Sequence, residues 1–274
     1  MDKLVKLETF SNEFVGFVRA TSESGATGWG QVSTYNSDIT CDIFHRQIAP
    51  HALGTDAFDF EDTLNLIGER EHKYPGSYLR RAMTGLDVDA NSCYSPKRAI
   101  EVGKLLAENG ISHFEEPCPY WEYEQTREVT EALEIDVTGG EQDCEYVTFK
   151  LMMDMKAVDI VQPDIMYIGG LTRTLNICEM AAERGFKITP HAANLSLVTM
   201  CTMHLLGAIP NAGKYLEFSI EEADYYPWQY GLFLGDPHKI EDGKATIPDE
   251  PGWGVEINPT WLEKAQYHKS EMAR

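Results

Sequence analysis

Asp89, Glu115, Glu141, Asp164, His191 and Glu217 each close a short apolar run, and they follow one another at intervals of 26, 26, 23, 27 and 26 residues. Three carboxylates in phase, Asp89, Glu115 and Glu141, would repel one another if they converged without a cation. A divalent metal resolves that repulsion, and an all-oxygen ligand set suits Mg2+ or Mn2+. A single strand-end acid more often caps the next helix or pairs with a surface lysine; three in one phase point to a metal site. His191, in ITPH, comes one unit after Asp164, in VQPD. Neighbouring strand ends can set a carboxylate against an imidazole, which orients the ring and raises its pKa. Such a histidine is a general base able to take a proton beside a metal-held carboxylate. Glu217, in YLEFS, could hydrogen-bond a developing enolate oxygen if protonated; a surface lysine partner is the plainer reading. Asn91 lies two residues after Asp89 and faces the same way, to contact substrate or to cap a loop.

These residues need a scaffold that presents one polar group per repeat. A spacing of about 26 residues is one strand, one helix and two short loops, and a βα repeat with a polar residue at each strand end describes a TIM barrel with its site at the C-terminal face. The strands are LDVDAN, ISHFEEP, IDVTGGE, VDIVQPD, KITPH and YLEFS, mostly Val/Ile-rich as buried parallel strands are. Between the first two lies a helix with Ser95 as N-cap, Pro96 at its first position and Gly110 as its stop; Leu171–Arg184, closed by Gly185, is another. Gly139-Gly140 and Gly169-Gly170 fit neither GxGxxG nor a P-loop and read as tight strand-to-helix turns. The aromatic stretch Tyr120, Trp121 and Tyr123 reads equally as a wall of the site or as packing.

Residues 1–86 do not follow the repeat. Glu13–Ala20 and Thr27–Val32 read as strands joined by a turn at Ser22–Gly25, with helices over Asp38–Leu53 and Asp59–Met83, a small α+β domain. The repeat spans 87–235, and 236–274 is expected to pack back on the N-terminal domain. Six units fill that span where a closed barrel needs eight. The abrupt passage from LRRAMTGLD to VDANSCYS marks where the first two strands would be missing, through an internal deletion or a segment absent between the two halves.

The chain has 274 residues, 43% of them hydrophobic, enough for a sizeable core. A formal net charge of −21 disfavours nucleic acid and anionic membranes as partners. The N-terminus lacks a signal peptide's apolar segment, no stretch suits a membrane span, and six scattered cysteines without a CxxC read as reduced thiols, so a cytoplasmic protein is expected. The remaining histidines have no setting like that of His191 and read as structural.

At VDAN, FEEP, GGEQ, QPD, TPH and LEFS the chain resembles the enolase superfamily, and within it the mandelate racemase subgroup; GWGQVSTY and PGWGVEINP resemble that family's capping domain and C-terminal segment. The resemblance implies an α+β capping domain over a (β/α)7β barrel lacking here its first two strands. It implies metal ligation by Asp89, Glu115 and Glu141, His191 as general base with Asp164 as partner, Glu217 as the electrophilic residue on the substrate carboxylate, and Asn91 as a substrate contact. Strand alternation lets only one of Glu115 and Glu116 be a ligand, and the resemblance selects Glu115. Cap loops at Ser11–Phe14 and Ser33–Asn36 would select substrate. The family's Lys-x-Lys motif at the second barrel strand does not occur. The implied activity is Mg2+-dependent abstraction of the proton α to a carboxylate through an enediolate, in an acid-sugar dehydratase. Racemisation or epimerisation, or a catalytically impaired remnant, are the alternatives. A small carboxylate substrate and a homo-oligomer are the expected partners. A hydrolase of the amidohydrolase type is disfavoured, because its HxH pair is absent.

Overall fold

The computed structural model describes residues 2–32, 34–71, 94–220 and 226–272. The N-terminal part is an antiparallel sheet in which β1 (Leu4–Ser11), β2 (Gly16–Ser22) and β3 (Thr27–Val32) lie in sequence order. The β2–β3 turn closes with Gly25 at φ 88°, a conformation that favours glycine. Helical residues follow as α1 (Ser37–Ile43), a widened π turn at Phe44–Ile48 and α2 (Ala49–Ala52), where a single helix over Asp38–Leu53 is the sequence expectation. The widened turn precedes Pro50, which brings no N–H to the ladder. The next helix, α3, runs Phe60–Arg70; the rest of the expected Asp59–Met83 helix falls largely outside the described residues.

The first strand is absent from the sequence reading. Its buried residues are Leu7, Glu8, Thr9 and Ser11, so both of its faces are covered and no clean apolar/polar alternation marks it. Glu8 is satisfied across the sheet: Arg19 Nε and Nη2 donate to its two oxygens at 2.8 and 2.9 Å, Tyr267 Oη donates at 2.7 Å, and Lys6 Nζ stands 3.1 Å away. Tyr267 belongs to β10 (Gln266–Glu271), which pairs with β1 and completes a four-stranded sheet in the order β10-β1-β2-β3. Arg19 leads the groups that hold the Glu8 carboxyl at about 2, against burial, with Tyr267 and Lys6 adding to it. A depressed native pKa stabilises the fold above the unfolded-state value and loses that contribution as pH falls toward the native one. Glu8→Gln is therefore expected to lower stability at pH 7 by about 1–2 kcal/mol, screening at the part-exposed Arg19 included. The gap should close between about pH 4.5 and 2, which thermal melts across that range would read.

The second sheet is parallel, in the order β4 (His113–Glu115), β5 (Asp136–Gly139), β6 (Ile160–Val161) and β7 (Lys187–Ile188). Helices α4 (Pro96–Glu108), α5 (Tyr123–Ala132), α6 (Tyr146–Met155), α7 (Leu171–Glu183) and α8 (Leu197–Ala208) alternate with these strands. The chain continues through a small hairpin, β8 (Ile240–Glu241) and β9 (Lys244–Ala245), and helix α9 (Pro259–Lys264) to β10. Register places Glu115, Thr138, Ile160 and Lys187 on one face. Steps of two carry that face to Gln162 and Asp164, and to Thr189 and His191.

Six strands are expected from the repeat, and two are not among those the structure describes. LDVDAN, with the junction at Asp87, lies outside the described residues. YLEFS takes no part in a ladder. The hydrogen-bonding groups of Ile188 are already used by the segment before it: its N–H donates to Asn211 O at 3.0 Å, and its carbonyl accepts from Gly213 N at 2.6 Å. Gly213 permits that approach, since a Cβ there would stand 2.0 Å from Thr189 Oγ1. Tyr215 then reaches His113 of β4, ring centroids 5.5 Å apart.

One hydrophobic cluster joins the two sheets. Val15 and Phe17 of the N-terminal part are fully buried with Val137, Val161, Ile188 and Leu232. Phe17 packs edge-on against Trp261 at 5.0 Å and against Phe233 at 6.1 Å. Among the described residues no helix is long and apolar enough to cross a membrane.

Candidate active site

His191, Asp164, Glu141 and Glu217 converge at the C-terminal ends of the parallel strands. Asp164 Oδ2 lies 2.7 Å from His191 Nδ1. The other Asp164 oxygen accepts the backbone N–H groups of Met166 at 2.5 Å and Tyr167 at 3.0 Å, the first turn after the strand, so the carboxylate cannot swing away. Both residues are buried, and the Tyr167 ring lies 5.6 Å from the imidazole. With Nδ1 engaged, Nε2 lies 3.5 Å from Glu141 Oε2 and 4.0 Å from Glu217 Oε1.

Glu141 is fully buried and follows Gly140, whose φ of 115° turns the chain at the end of β5. A Cβ on Gly140 would stand 3.1 Å from the Phe149 ring, so the turn also needs the missing side chain. Gln142 Nε2 donates to Glu141 Oε1 at 2.9 Å. Glu217, without a ladder of its own, is placed by its carboxylate, which accepts the Ala192 N–H at 2.7 Å.

The electrostatics follow from this crowding. Burial pulls the His191 pKa down, but the Asp164 hydrogen bond and the charges of Glu141, Asp164 and Glu217 outweigh it and hold the ring well above its usual value. Burial pushes the Glu217 carboxyl up; His191 and the Ala192 amide oppose this, and Glu115 and Asp164 reinforce it. Glu115 is therefore within electrostatic reach of Glu217, although its own side chain is exposed. Glu116 is buried, at φ 36°, just past the end of the strand.

Asp89 and Asn91 lie outside the described residues. Among the described residues no group of three or more His, Cys, Asp or Glu side chains could hold a metal ion. The donor set nevertheless fits a hard divalent cation. Three carboxyl groups stand within 4.0 Å of one imidazole; with Glu217 protonated and the ring charged, Asp164 and Glu141 still leave one negative charge, and Glu115 adds to that field.

Sequence reasoning missed Asp143 and Tyr123 as a pair. Tyr123 Oη donates to the Asp143 carboxylate at 2.7 and 2.8 Å, and burial pushes that carboxyl up to about 6. The pair locks the segment that carries Glu141. Its only sequence signal is an acid two residues beyond GGE, which has no meaning until the fold brings Tyr123 to it. Tyr120 and Trp121 meet edge to face with ring centroids 4.8 Å apart, and Trp121 is 63% exposed.

A parallel sheet with acids and a histidine beyond its strand ends, joined through one hydrophobic cluster to an antiparallel N-terminal sheet, defines an α/β protein. The family model described as Enolase C-terminal domain-like matches residues 77–261, and the chain belongs to the enolase superfamily. Among solved structures, a protein of Roseobacter denitrificans provisionally described as a racemase is 47% identical, covering 98% of this chain and 100% of that one with a TM-score of 0.95. A mandelate racemase/muconate lactonizing protein from Paracoccus denitrificans, complexed with magnesium, shares the fold at 21% identity and a TM-score of 0.85, covering 99% of each chain. Among curated relatives, an arabinonate dehydratase of Saccharolobus solfataricus is 29% identical over 65% of this chain and 46% of its own length. An L-galactonate dehydratase of Hypocrea jecorina is 30% identical over 69% of this chain and 43% of its own length. The chain thus spans about half the length of the curated relatives it matches.

Proposed function

We propose that this chain removes the proton α to the carboxylate of an acid sugar and then expels the β-hydroxyl, forming a 2-keto-3-deoxy acid. The observation that carries this is the His191–Asp164 pair, with Nδ1 held at 2.7 Å and Nε2 turned toward Glu141 and Glu217. In the neutral ring the proton sits on Nδ1 toward Asp164 and Nε2 is the proton acceptor; a cation on Glu141 would offset the negative charge that otherwise keeps the ring protonated. The Cα–H electron pair moves into the carboxylate as Nε2 takes the proton. Glu217, whose carboxyl burial makes easier to protonate, hydrogen-bonds a carboxylate oxygen as charge develops there. The imidazolium returns its proton to the departing hydroxide, which leaves as water, and the enol product becomes the ketone. Asp89, Glu115 and Glu141 would hold Mg2+ (Mn2+ suits the same oxygens), which supplies Lewis-acid stabilisation of the substrate carboxylate. The scaffold in this reading is the capped (β/α)7β barrel, with Asn91 contacting substrate. The dehydratases among the curated relatives support the choice of reaction.

The test is a panel of aldonates, aldarates and uronates with Mg2+, scored for 2-keto acid and for α-deuterium uptake from D2O. Ketone formation on at least one acid is the expected result. Neither ketone nor exchange on any of them would overturn the reading. A racemase is the second reading, favoured by the description of the Roseobacter protein. It predicts α-exchange with inversion and no ketone, and it needs a second base on the opposite face of the carbon.

A further inference from the structure

The loop that joins His191 to the next helix is tied to side chains from elsewhere in the fold. Ser196 is the N-cap of helix α8, yet its side chain makes no cap hydrogen bond. The cap comes instead from the N-terminal sheet, 166 positions away in sequence: Gln31 Oε1, at the end of β3, accepts the Leu197 N–H at 3.0 Å. The same carboxamide donates through Nε2 to Ser196 Oγ at 2.9 Å. Gln31 and Ser196 are both buried, so neither bond is shared with bulk water. Strand β3 is itself seated, because Trp253 Nε1 donates to Trp29 O at 3.1 Å. The short helical turn Pro227–Gln229 also holds the loop, where Gln229 Oε1 accepts the Leu195 N–H at 2.9 Å. Between His191 and α8 the amides of Ala192, Leu195 and Leu197 therefore all end on side chains from elsewhere in the fold. The two-residue β7 is too short to fix the loop by its ladder.

We propose that Gln31 is a positioning residue for His191, setting the loop 192–196 and coupling the seating of the N-terminal sheet to the placement of the imidazole. A buried position that must donate to a hydroxyl and accept from an amide at once is met by a carboxamide. The consequence for the reaction rests on His191 being the base; the positioning itself does not.

Gln31→Met keeps the length of the side chain and removes both bonds; Ser196→Ala removes one. The readouts are the His191 ring resonances in 13C-histidine-labelled protein, amide exchange over 192–197, and kcat and KM on any acid the wild type turns over. Gln31→Met is expected to shift or split the His191 resonances, to speed exchange at Leu195 and Leu197 by at least about tenfold, and to lower kcat by about tenfold or more with KM within about twofold, as a misplaced group does. Ser196→Ala should fall between it and wild type, and serves as the test if Gln31→Met fails to fold. Native His191 resonances and native exchange in a folded variant overturn the proposal. Wild type without turnover on any acid defeats the proposed function alone, because resonances and exchange still decide the role of Gln31.

Discussion

Asparagine at position 191 is expected to abolish α-proton exchange and to lower turnover by about four orders of magnitude, the scale seen when a catalytic base is removed. The fold should survive. Asp164 keeps the Met166 and Tyr167 amides as donors after the ring is gone, so its carboxylate is not stranded. Asp164→Asn should cost about three orders of magnitude by a different route. Its oxygen would stay with the two backbone amides, and its NH2 would face Nδ1, which must then accept. The ring proton would sit on Nε2, where it blocks acceptance of a substrate proton. Deuterium uptake at the α-carbon, followed by NMR, reads both variants without requiring the full reaction. Exchange at the wild-type rate in His191→Asn would remove this residue from the base role.

The second large effect is expected from the metal. Chelation should lower turnover by at least about a thousandfold, and added Mg2+ should restore it. Glu141→Gln should give the same loss without rescue. Glu141 is fully buried beside His191 and takes the Gln142 amide on one oxygen, so a neutral isostere keeps that hydrogen bond and removes the charge. Binding also reports on stability: Mg2+ at one hundred times its dissociation constant should add about 2.7 kcal/mol. For a chain of this size that raises the unfolding midpoint by roughly 5 °C. The rise should be lost in Glu141→Gln. A wild-type midpoint indifferent to Mg2+, together with turnover unchanged after thorough chelation, would exclude the metal site.

Much of the site was legible because a βα repeat has nearly constant length. That constancy assigned Glu141, Asp164 and His191 to neighbouring strand ends without knowledge of any contact, and they do meet. Helix α4, with Pro96 at its first position and Gly110 at φ 77° beyond its end, was legible from its boundary residues for the same local reason. Strand β1 was not, since its buried Glu8 makes sense only against Arg19 and Tyr267, one of them 259 positions away in sequence. YLEFS reads as a strand from its own residues, but the parallel bridge of Ile188 to Ala212 just before it goes no further, and Pro190, two residues beyond Ile188, brings no N–H to a ladder. Glu217 reaches the site nonetheless, through the Ala192 amide. The pairing of Tyr123 with Asp143, and of Gln31 with Ser196, leaves no periodic trace, because a buried polar side chain is licensed by its partner rather than by its neighbours in sequence. The sequence by itself determined which residue types stand at the strand ends and in what order, because side-chain alternation and helix length are local properties of the chain. Only the tertiary structure decided how the carboxylates crowd one imidazole and what holds the loop behind it, because those depend on distances between segments that the chain brings together only when it folds.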